Sequence, residues 1–143
     1  ELIIKLSKKY DYVRVFAFCT SEKFGEGEYI KQILYELSLS NVLFIPYLGD
    51  CFQFLQSLRS CDFIISVRLH GLIISYLLNI PFYALSYHKK CDDFLSEVGV
   101  SPRFQQDSEY FNVARVLSGV MPYSLKRSNL ILKKSWVNFD IFD

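Results

Sequence analysis

Short apolar runs alternate with longer helical patterns along the chain. The runs that predict buried strands lie at residues 14–18, 42–46, 62–66 and 81–85. Residues 1–9 read as the end of a helix, and further helices are predicted over 26–39, 50–60, 69–78, 89–98, 110–117 and 123–137. Residues 138–143 are expected to be a frayed tail.

This order of elements predicts an α/β fold. Strands that are near-continuous apolar runs, each followed by a helix, are typical of a parallel sheet covered on both faces. We therefore predict a Rossmann-like three-layer domain with a parallel sheet over residues 1–122, followed by a C-terminal helix and tail over 123–143. In such sheets ligands bind beyond the carboxyl ends of the strands, where loops lead into helix N-termini.

Composition narrows the class of protein. The 143 residues are 51% hydrophobic with a formal net charge of +1, which indicates a globular chain and excludes the basic footprint of nucleic-acid binding. The longest apolar run, 72–85, is broken by Asn79 and Pro81 and is shorter than the ~20 residues that span a bilayer, so no transmembrane segment is expected. Four widely spaced cysteines predict free, mostly buried thiols in a reducing cytosol.

The two ends of the chain carry separate signals. Four basic residues in the predicted helix at 123–137 favour either a solvated helix face or an anionic partner such as a membrane surface; they are Lys126, Arg127, Lys133 and Lys134. The chain begins at Glu1 with no initiator methionine and no signal-peptide pattern. We therefore expect it to be a fragment of a longer protein.

Candidate chemistry follows the third predicted strand. Arg68 and His70 come directly after that strand and lie at the start of a helix, which Gly71 is predicted to open. A guanidinium offers bidentate hydrogen bonds to phosphate or carboxylate, and a helix N-terminus adds backbone N–H donors. Imidazole titrates near neutrality, which suits a general acid or base. The turn therefore predicts an anion site.

A second polar loop follows the next strand along the chain. Tyr87, His88, Lys89 and Lys90 leave this strand together, and a lysine pointing inward would add a second positive charge for the same anion. The residue types alone also allow an interpretation without a binding site. In it, the Arg68 guanidinium is solvated, the His70 ring is hydrogen-bonded within the core and the lysines are surface residues. Both interpretations stay open at this point, as does which residue of the second loop faces the pocket.

Several motifs in this region resemble a known family. They are Asp62-Phe63-Ile64-Ile65-Ser66-Val67-Arg68-Leu69-His70-Gly71, then Asn79-Ile80-Pro81-Phe82, then Tyr87-His88-Lys89-Lys90 with Phe94 and Gly99. Together they resemble the C-terminal signature of the polysaccharide pyruvyltransferases, whose architecture is similar to that of GT-B-type, two-Rossmann-domain transferases. The resemblance is dense over residues 62–99 and only architectural elsewhere.

The resemblance implies a reaction. Members of the family transfer the enolpyruvyl group of phosphoenolpyruvate to a sugar of a cell-wall polysaccharide or exopolysaccharide, forming a ketal. It implies His70 and Arg68 as catalytic residues, with donor binding by Arg68, Gly71, Ser66, Tyr87 and Lys90. Since the family fold has two Rossmann-like halves, this chain would be the donor-binding half. Its C-terminal helix would then pack on this domain or on the absent N-terminal half.

The partners expected on this interpretation are small molecules and sugars. They are phosphoenolpyruvate and a sugar or lipid-linked oligosaccharide acceptor, with self-association through an exposed C-terminal helix as a further option. No ligand set of carboxylates or histidines lies near the motif, so we predict no metal and no cofactor. The expected location is the cytoplasm, including the inner face of the membrane.

Two alternative functions stay open. A nucleotide-sugar glycosyltransferase or epimerase of the same architecture would use Arg68 and Lys90 to hold a diphosphate. A truncated, non-catalytic module would only bind an anion or a partner.

Overall fold

The computed structural model describes residues 1–19, 25–100, 105–107 and 112–119 of the chain. The chain divides into two compact units, Glu1–Ser60 and Cys61–Asp143. Strands and helices alternate in each unit, and every pairing between described strands is parallel. The predicted α/β fold is therefore confirmed for the described residues.

The first unit contains a two-stranded sheet. Strand β1 (Val13–Ala17) pairs in parallel with β2 (Val42–Pro46), so that Val13 lies opposite Val42 and Ala17 lies opposite Pro46. Phe54 is buried, and three aromatic rings meet it edge-on at centroid distances of 5.1–5.5 Å, those of Phe16, Phe18 and Tyr47. The elements of this unit are α1 (Leu2–Lys9), β1 (Val13–Ala17), α2 (Gly27–Leu37), β2 (Val42–Pro46) and α3 (Cys51–Arg59).

The second unit contains a three-stranded sheet in which β4 (Phe82–Ser86) lies between β3 (Ile64–Ser66) and β5 (Gln105–Asp107). Strand β4 runs parallel to both neighbours, with Ser66 of β3 opposite Ala84 and Asp107 of β5 opposite Ser86. The elements of this unit are β3 (Ile64–Ser66), α4 (Leu69–Leu77), β4 (Phe82–Ser86), α5 (Lys89–Glu97), β5 (Gln105–Asp107) and α6 (Val113–Gly119).

Strand β4 is the centre of this unit's core. All five of its residues are buried, as expected for a middle strand of a parallel sheet that is covered on both faces. Burial raises the pKa of the Tyr83 hydroxyl, while the charge of Arg115 and a hydrogen bond with it act in the opposite direction. Arg115 lies on α6, so this contact connects the last described helix with the central strand.

The turn between α4 and β4 shows how the chain leaves a buried helix. Asn79 adopts the left-handed conformation with φ 58°, and the Ile80 N–H donates to the Ser75 carbonyl at 2.8 Å. The carbonyl of Pro81 then accepts from the Ile64 N–H at 3.0 Å. The turn therefore ends α4 and places the start of β4 beside β3, in agreement with the break predicted at residues 79–81.

The structure departs from the prediction in several places. The described strands form two sheets instead of one, and β5 was not predicted because Gln105-Gln106-Asp107 has no apolar residue. The helix predicted from residue 110 begins at Val113. The helix at 123–137, the tail at 138–143 and the loop residues Thr20 and Ser21 lie outside the described residues. The domain division at residue 122 and the GT-B-type likeness stay predictions.

The cysteines are more exposed than expected. All four are free, but only Cys91 is buried; Cys51 is exposed, and Cys19 and Cys61 are half-buried. The prediction of mostly buried thiols was therefore wrong. Cys51 shows the reason, because it begins α3 directly after the capping residue Asp50, at a solvated helix end.

This difference in burial predicts a difference in thiol reactivity. Burial raises the pKa of the Cys91 thiol, and the charge of the adjacent Asp92 carboxylate raises it further. A hydrogen bond with the Tyr87 backbone acts in the opposite direction and lowers this pKa. Because the thiolate is the reactive form, we expect Cys51 to react with Ellman's reagent at least about tenfold faster than Cys91. Mass spectrometry of alkylated peptides identifies which cysteine reacts in the fast phase and which in the slow phase of the reaction. The variant Cys51→Ser should lack the fast phase. Equal rates for the two thiols would contradict this packing.

Candidate functional site

The turn between β3 and α4 is held by a serine hydroxyl. Ser66 is buried at the end of β3, and its Oγ donates to the carbonyl of Arg68 at 2.9 Å. The same carbonyl accepts the Leu72 N–H at 3.2 Å, which is the first hydrogen bond of α4. Arg68 is thus the N-cap of this helix, in an extended conformation with φ −89° and ψ 135°. The proton of the Ser66 hydroxyl is used within the turn, so this hydroxyl can only accept a hydrogen bond from a ligand.

The N-terminus of α4 presents backbone donors without a side-chain cap. Arg68 makes no side-chain capping hydrogen bond, and the first turn of the helix contains no acidic residue. By helix geometry, the N–H groups of Leu69, His70 and Gly71 have no acceptor inside the helix. Such an end carries partial positive charge and attracts anions.

The predicted site residues occupy different depths at this end. Arg68 is half-buried, His70 is exposed and Gly71 is buried. Gly71 does not open the helix as predicted, since α4 begins at Leu69 and Gly71 is its third residue. Its carbonyl accepts from the Ser75 Oγ at 2.6 Å, inside the helix. The Gly71 carbonyl thus points along the helix, and its N–H is the backbone polar group that faces the N-terminal end, where a ligand would bind.

The turn between β4 and α5 carries the other predicted residues. Tyr87 is 53% exposed and its ring meets the His88 ring edge-on at 6.2 Å between centroids. His88 is the N-cap of α5, and its Nδ1 accepts from the Lys90 N–H at 3.2 Å. Lys89 and Lys90 are the first two residues of the helix, and both are exposed. His88 therefore has a structural contact that sequence patterns did not reveal.

The strand pairing brings the two turns to one edge. Because β3 and β4 are parallel neighbours, with Ser66 opposite Ala84, the chain leaves both strands at the same end of the sheet. The prediction that the loops are adjacent is thus confirmed. The roles proposed for the individual side chains stay predictions.

A contact missed by sequence reasoning lies beside these residues. Ser86 is buried at the end of β4, and its Oγ donates to Asp92 Oδ1 at 2.5 Å. The only sequence signal for it is that Ser66 and Ser86 both end strands that run into helices. The pair places a carboxylate in the first turn of α5, where α4 has none.

In the part of the chain that the structure describes, no three residues of the types His, Cys, Asp and Glu are grouped as metal ligands would be. None of the described helices combines the length and the hydropathy needed to cross a bilayer.

The chain matches a family model over more than half of its length. A family model described as polysaccharide pyruvyl transferase matches residues 1–89. The matched part runs from α1 to the first residue of α5 and includes Ser66, Arg68, His70 and Tyr87, whereas Lys90 lies just beyond it. No curated protein and no solved structure matches the chain.

Proposed function

Because the chain belongs to the polysaccharide pyruvyl transferase family, we propose that it binds phosphoenolpyruvate at the turn between β3 and α4. The enolpyruvyl group would then pass to a sugar of a cell-surface polysaccharide and form a ketal. The observation that carries the proposal is the N-terminus of α4, which has no side-chain cap and no acidic residue in its first turn, with Arg68 at the N-cap position and His70 as the second helical residue.

The donor has two anionic groups that need fixed positive partners. The phosphate is proposed to bind the first N–H groups of α4, with the Arg68 guanidinium forming bidentate hydrogen bonds to the phosphate or the carboxylate. Lys90, on the neighbouring turn, would supply a point charge for the remaining anionic group. Each charge-assisted hydrogen bond contributes roughly 1.5–3 kcal/mol.

The neighbouring helix is less suited to the phosphate. The N-terminus of α5 is capped by His88, and its first turn contains the Asp92 carboxylate. A carboxylate at that position lowers the positive potential of the helix end. This contrast supports α4 as the phosphate site and leaves α5 as the support for Lys90.

His70 is proposed as the proton carrier. Transfer of its proton to the methylene carbon of the donor leaves a cation-like centre at C2, which a first sugar hydroxyl attacks with loss of its own proton. The C2–O bond to phosphate then breaks, and a second hydroxyl closes the ketal, so that the net products are the ketal and inorganic phosphate. His70 is exposed at the second position of α4, where an incoming acceptor can reach it. Arg68 would stabilise the charge on the departing phosphate.

Thermal unfolding with candidate donors tests this choice of ligand. We expect phosphoenolpyruvate to raise the Tm of the chain, since a ligand at 100 times its Kd adds about 2.7 kcal/mol to the free energy of unfolding. Uridine diphosphate and uridine diphosphate sugars should leave the Tm unchanged.

The matched variants are Arg68→Gln, which should remove most of the shift, and Arg59→Gln at an exposed position on α3, which should retain it. Stabilisation by uridine nucleotides alone would favour a nucleotide-sugar enzyme. No shift with either ligand class would favour a module that binds no donor.

A further inference from the structure

His88 has a defined contact at the start of α5. The residue is extended, with φ −147° and ψ 141°, and its Nδ1 accepts from the Lys90 N–H at 3.2 Å. Its carbonyl accepts from the Cys91 N–H at 2.8 Å. Both hydrogen bonds lie in the first turn of α5, and the one to Nδ1 ties the Lys90 backbone to the His88 side chain.

The chemistry of imidazole defines the form of His88 that can make this cap. Nδ1 accepts a hydrogen bond only when it carries no proton, so the ring that makes this cap is the form with its proton on Nε2. Serine, threonine, asparagine and aspartate are the usual residues at this position. A histidine here is therefore an uncommon way to obtain an uncharged acceptor.

A second contact holds the other side of the same turn. Ser86 Oγ donates to Asp92 Oδ1 at 2.5 Å and so connects the end of β4 to the first turn of α5. Residues 87–91 lie between the two members of this pair. The position of Lys90 thus depends on two side-chain hydrogen bonds, one of which leaves a negative charge in the turn.

From these contacts we infer that His88 is a positioning residue that holds Lys90 for the anionic donor without adding a negative charge. The inference rests on the proposed function, in which Lys90 contacts phosphoenolpyruvate. Aspartate would cap the helix equally well but would place a second carboxylate beside Asp92, close to the donor. The cap and its lack of charge are therefore separate requirements, and substitutions can separate them.

Three substitutions at this position separate the two requirements. His88→Asn keeps an uncharged cap, His88→Ala removes the cap, and His88→Asp keeps the cap but adds a charge. For each full-length variant we would measure unfolding in urea, hydrogen exchange of the Lys90 amide and calorimetric titration with phosphoenolpyruvate at low and high salt.

Each substitution has its own expected result. His88→Asn should bind phosphoenolpyruvate within about twofold of the wild type, and its Lys90 amide should stay protected. His88→Ala should lose protection at Lys90 and bind about fivefold more weakly, because the lost cap loosens the first turn of the helix. His88→Asp should be as stable as the wild type and bind about fivefold more weakly at low salt, a ratio that shrinks towards one in about 0.5 M salt through screening.

The possible contradictions are distinct from one another. Equal affinity in all four proteins, with normal binding by the wild type, would overturn the role of His88 and leave the proposed function intact. Asparagine as harmful as alanine to affinity would show that the imidazole itself contacts the ligand. If the wild type binds no phosphoenolpyruvate, the proposed function fails and the donor role of His88 fails with it. Exchange at Lys90 still shows in that case whether the cap exists.

Discussion

Replacing His70 with alanine or glutamine is expected to lower turnover by about 10²–10⁴, the usual contribution of a positioned general acid or base. Glutamine keeps a polar side chain of similar length, but its amide cannot act as a general acid or base near neutral pH. His70 is exposed, so neither substitution should lower the free energy of unfolding by more than about 0.5 kcal/mol. Donor affinity should change little, because the phosphate is proposed to bind backbone N–H groups and Arg68.

The assay for His70 works with a mixed acceptor and does not require an identified sugar. Polysaccharide from a strain that lacks the gene serves as acceptor, and the full natural protein is supplied with phosphoenolpyruvate while phosphate release and acid-labile pyruvate are measured. Gln56→Ala, at an exposed position on α3, is the control and should match the wild type. Normal turnover by His70→Gln would remove His70 from the mechanism.

Arg68→Lys is expected to weaken the binding of phosphoenolpyruvate by about tenfold, and Arg68→Gln by about 100-fold. Lysine keeps the charge but loses the planar fork that makes two parallel hydrogen bonds, and glutamine loses both. The turn itself should survive, because Ser66 and Leu72 bond to the backbone carbonyl of Arg68, which every substitution retains. The effect should therefore appear in Kd and not in the fold.

Calorimetric titration of the chain with phosphoenolpyruvate measures this effect. Arg59→Lys, at an exposed position in the last turn of α3, is the matched control and should bind like the wild type. If Arg68→Lys binds like the wild type while Arg68→Gln does not, the guanidinium contributes only its charge. Unchanged affinity in both variants would mean that Arg68 does not contact the donor.

Much of the fold could be predicted because packing on a sheet leaves a periodic signal. Residues 42–46 are a strand with the predicted bounds, and α3 begins after Asp50, whose carboxylate accepts from the Gln53 N–H at 3.0 Å. The apolar run at 81–85 indicated a buried strand, and β4 is buried throughout. These elements are defined by local chemistry that a single sequence records.

Other features depend on the assembled chain and leave no periodic signal. Strand β5 has three polar residues and exists because β4 offers it an edge. The division of the strands into two sheets depends on long-range pairing, which apolar patterns do not encode. Cysteine is a residue type that is usually buried, but Cys51 is exposed because it is the first residue of α3.

The candidate site shows the same division. The placement of Arg68 and His70 after a buried strand followed from the sequence, as did the adjacency of the second turn. The pairing of Ser86 with Asp92 and the cap formed by His88 did not, because each depends on side-chain directions at the end of β4. Sequence thus indicated which residues gather at the site, and the structure indicates how their turns are held.

An NMR titration of the ¹⁵N-labelled chain with phosphoenolpyruvate tests the proposed donor site directly. We predict the largest amide shift changes at Leu69, His70 and Gly71, with smaller ones at Lys90 and none at Cys51 and Phe52, which begin the capped helix α3. Inorganic phosphate should shift the same three amides at higher concentration. Shifts centred on another part of the chain, or no shifts at millimolar donor, would contradict a donor site at the turn between β3 and α4.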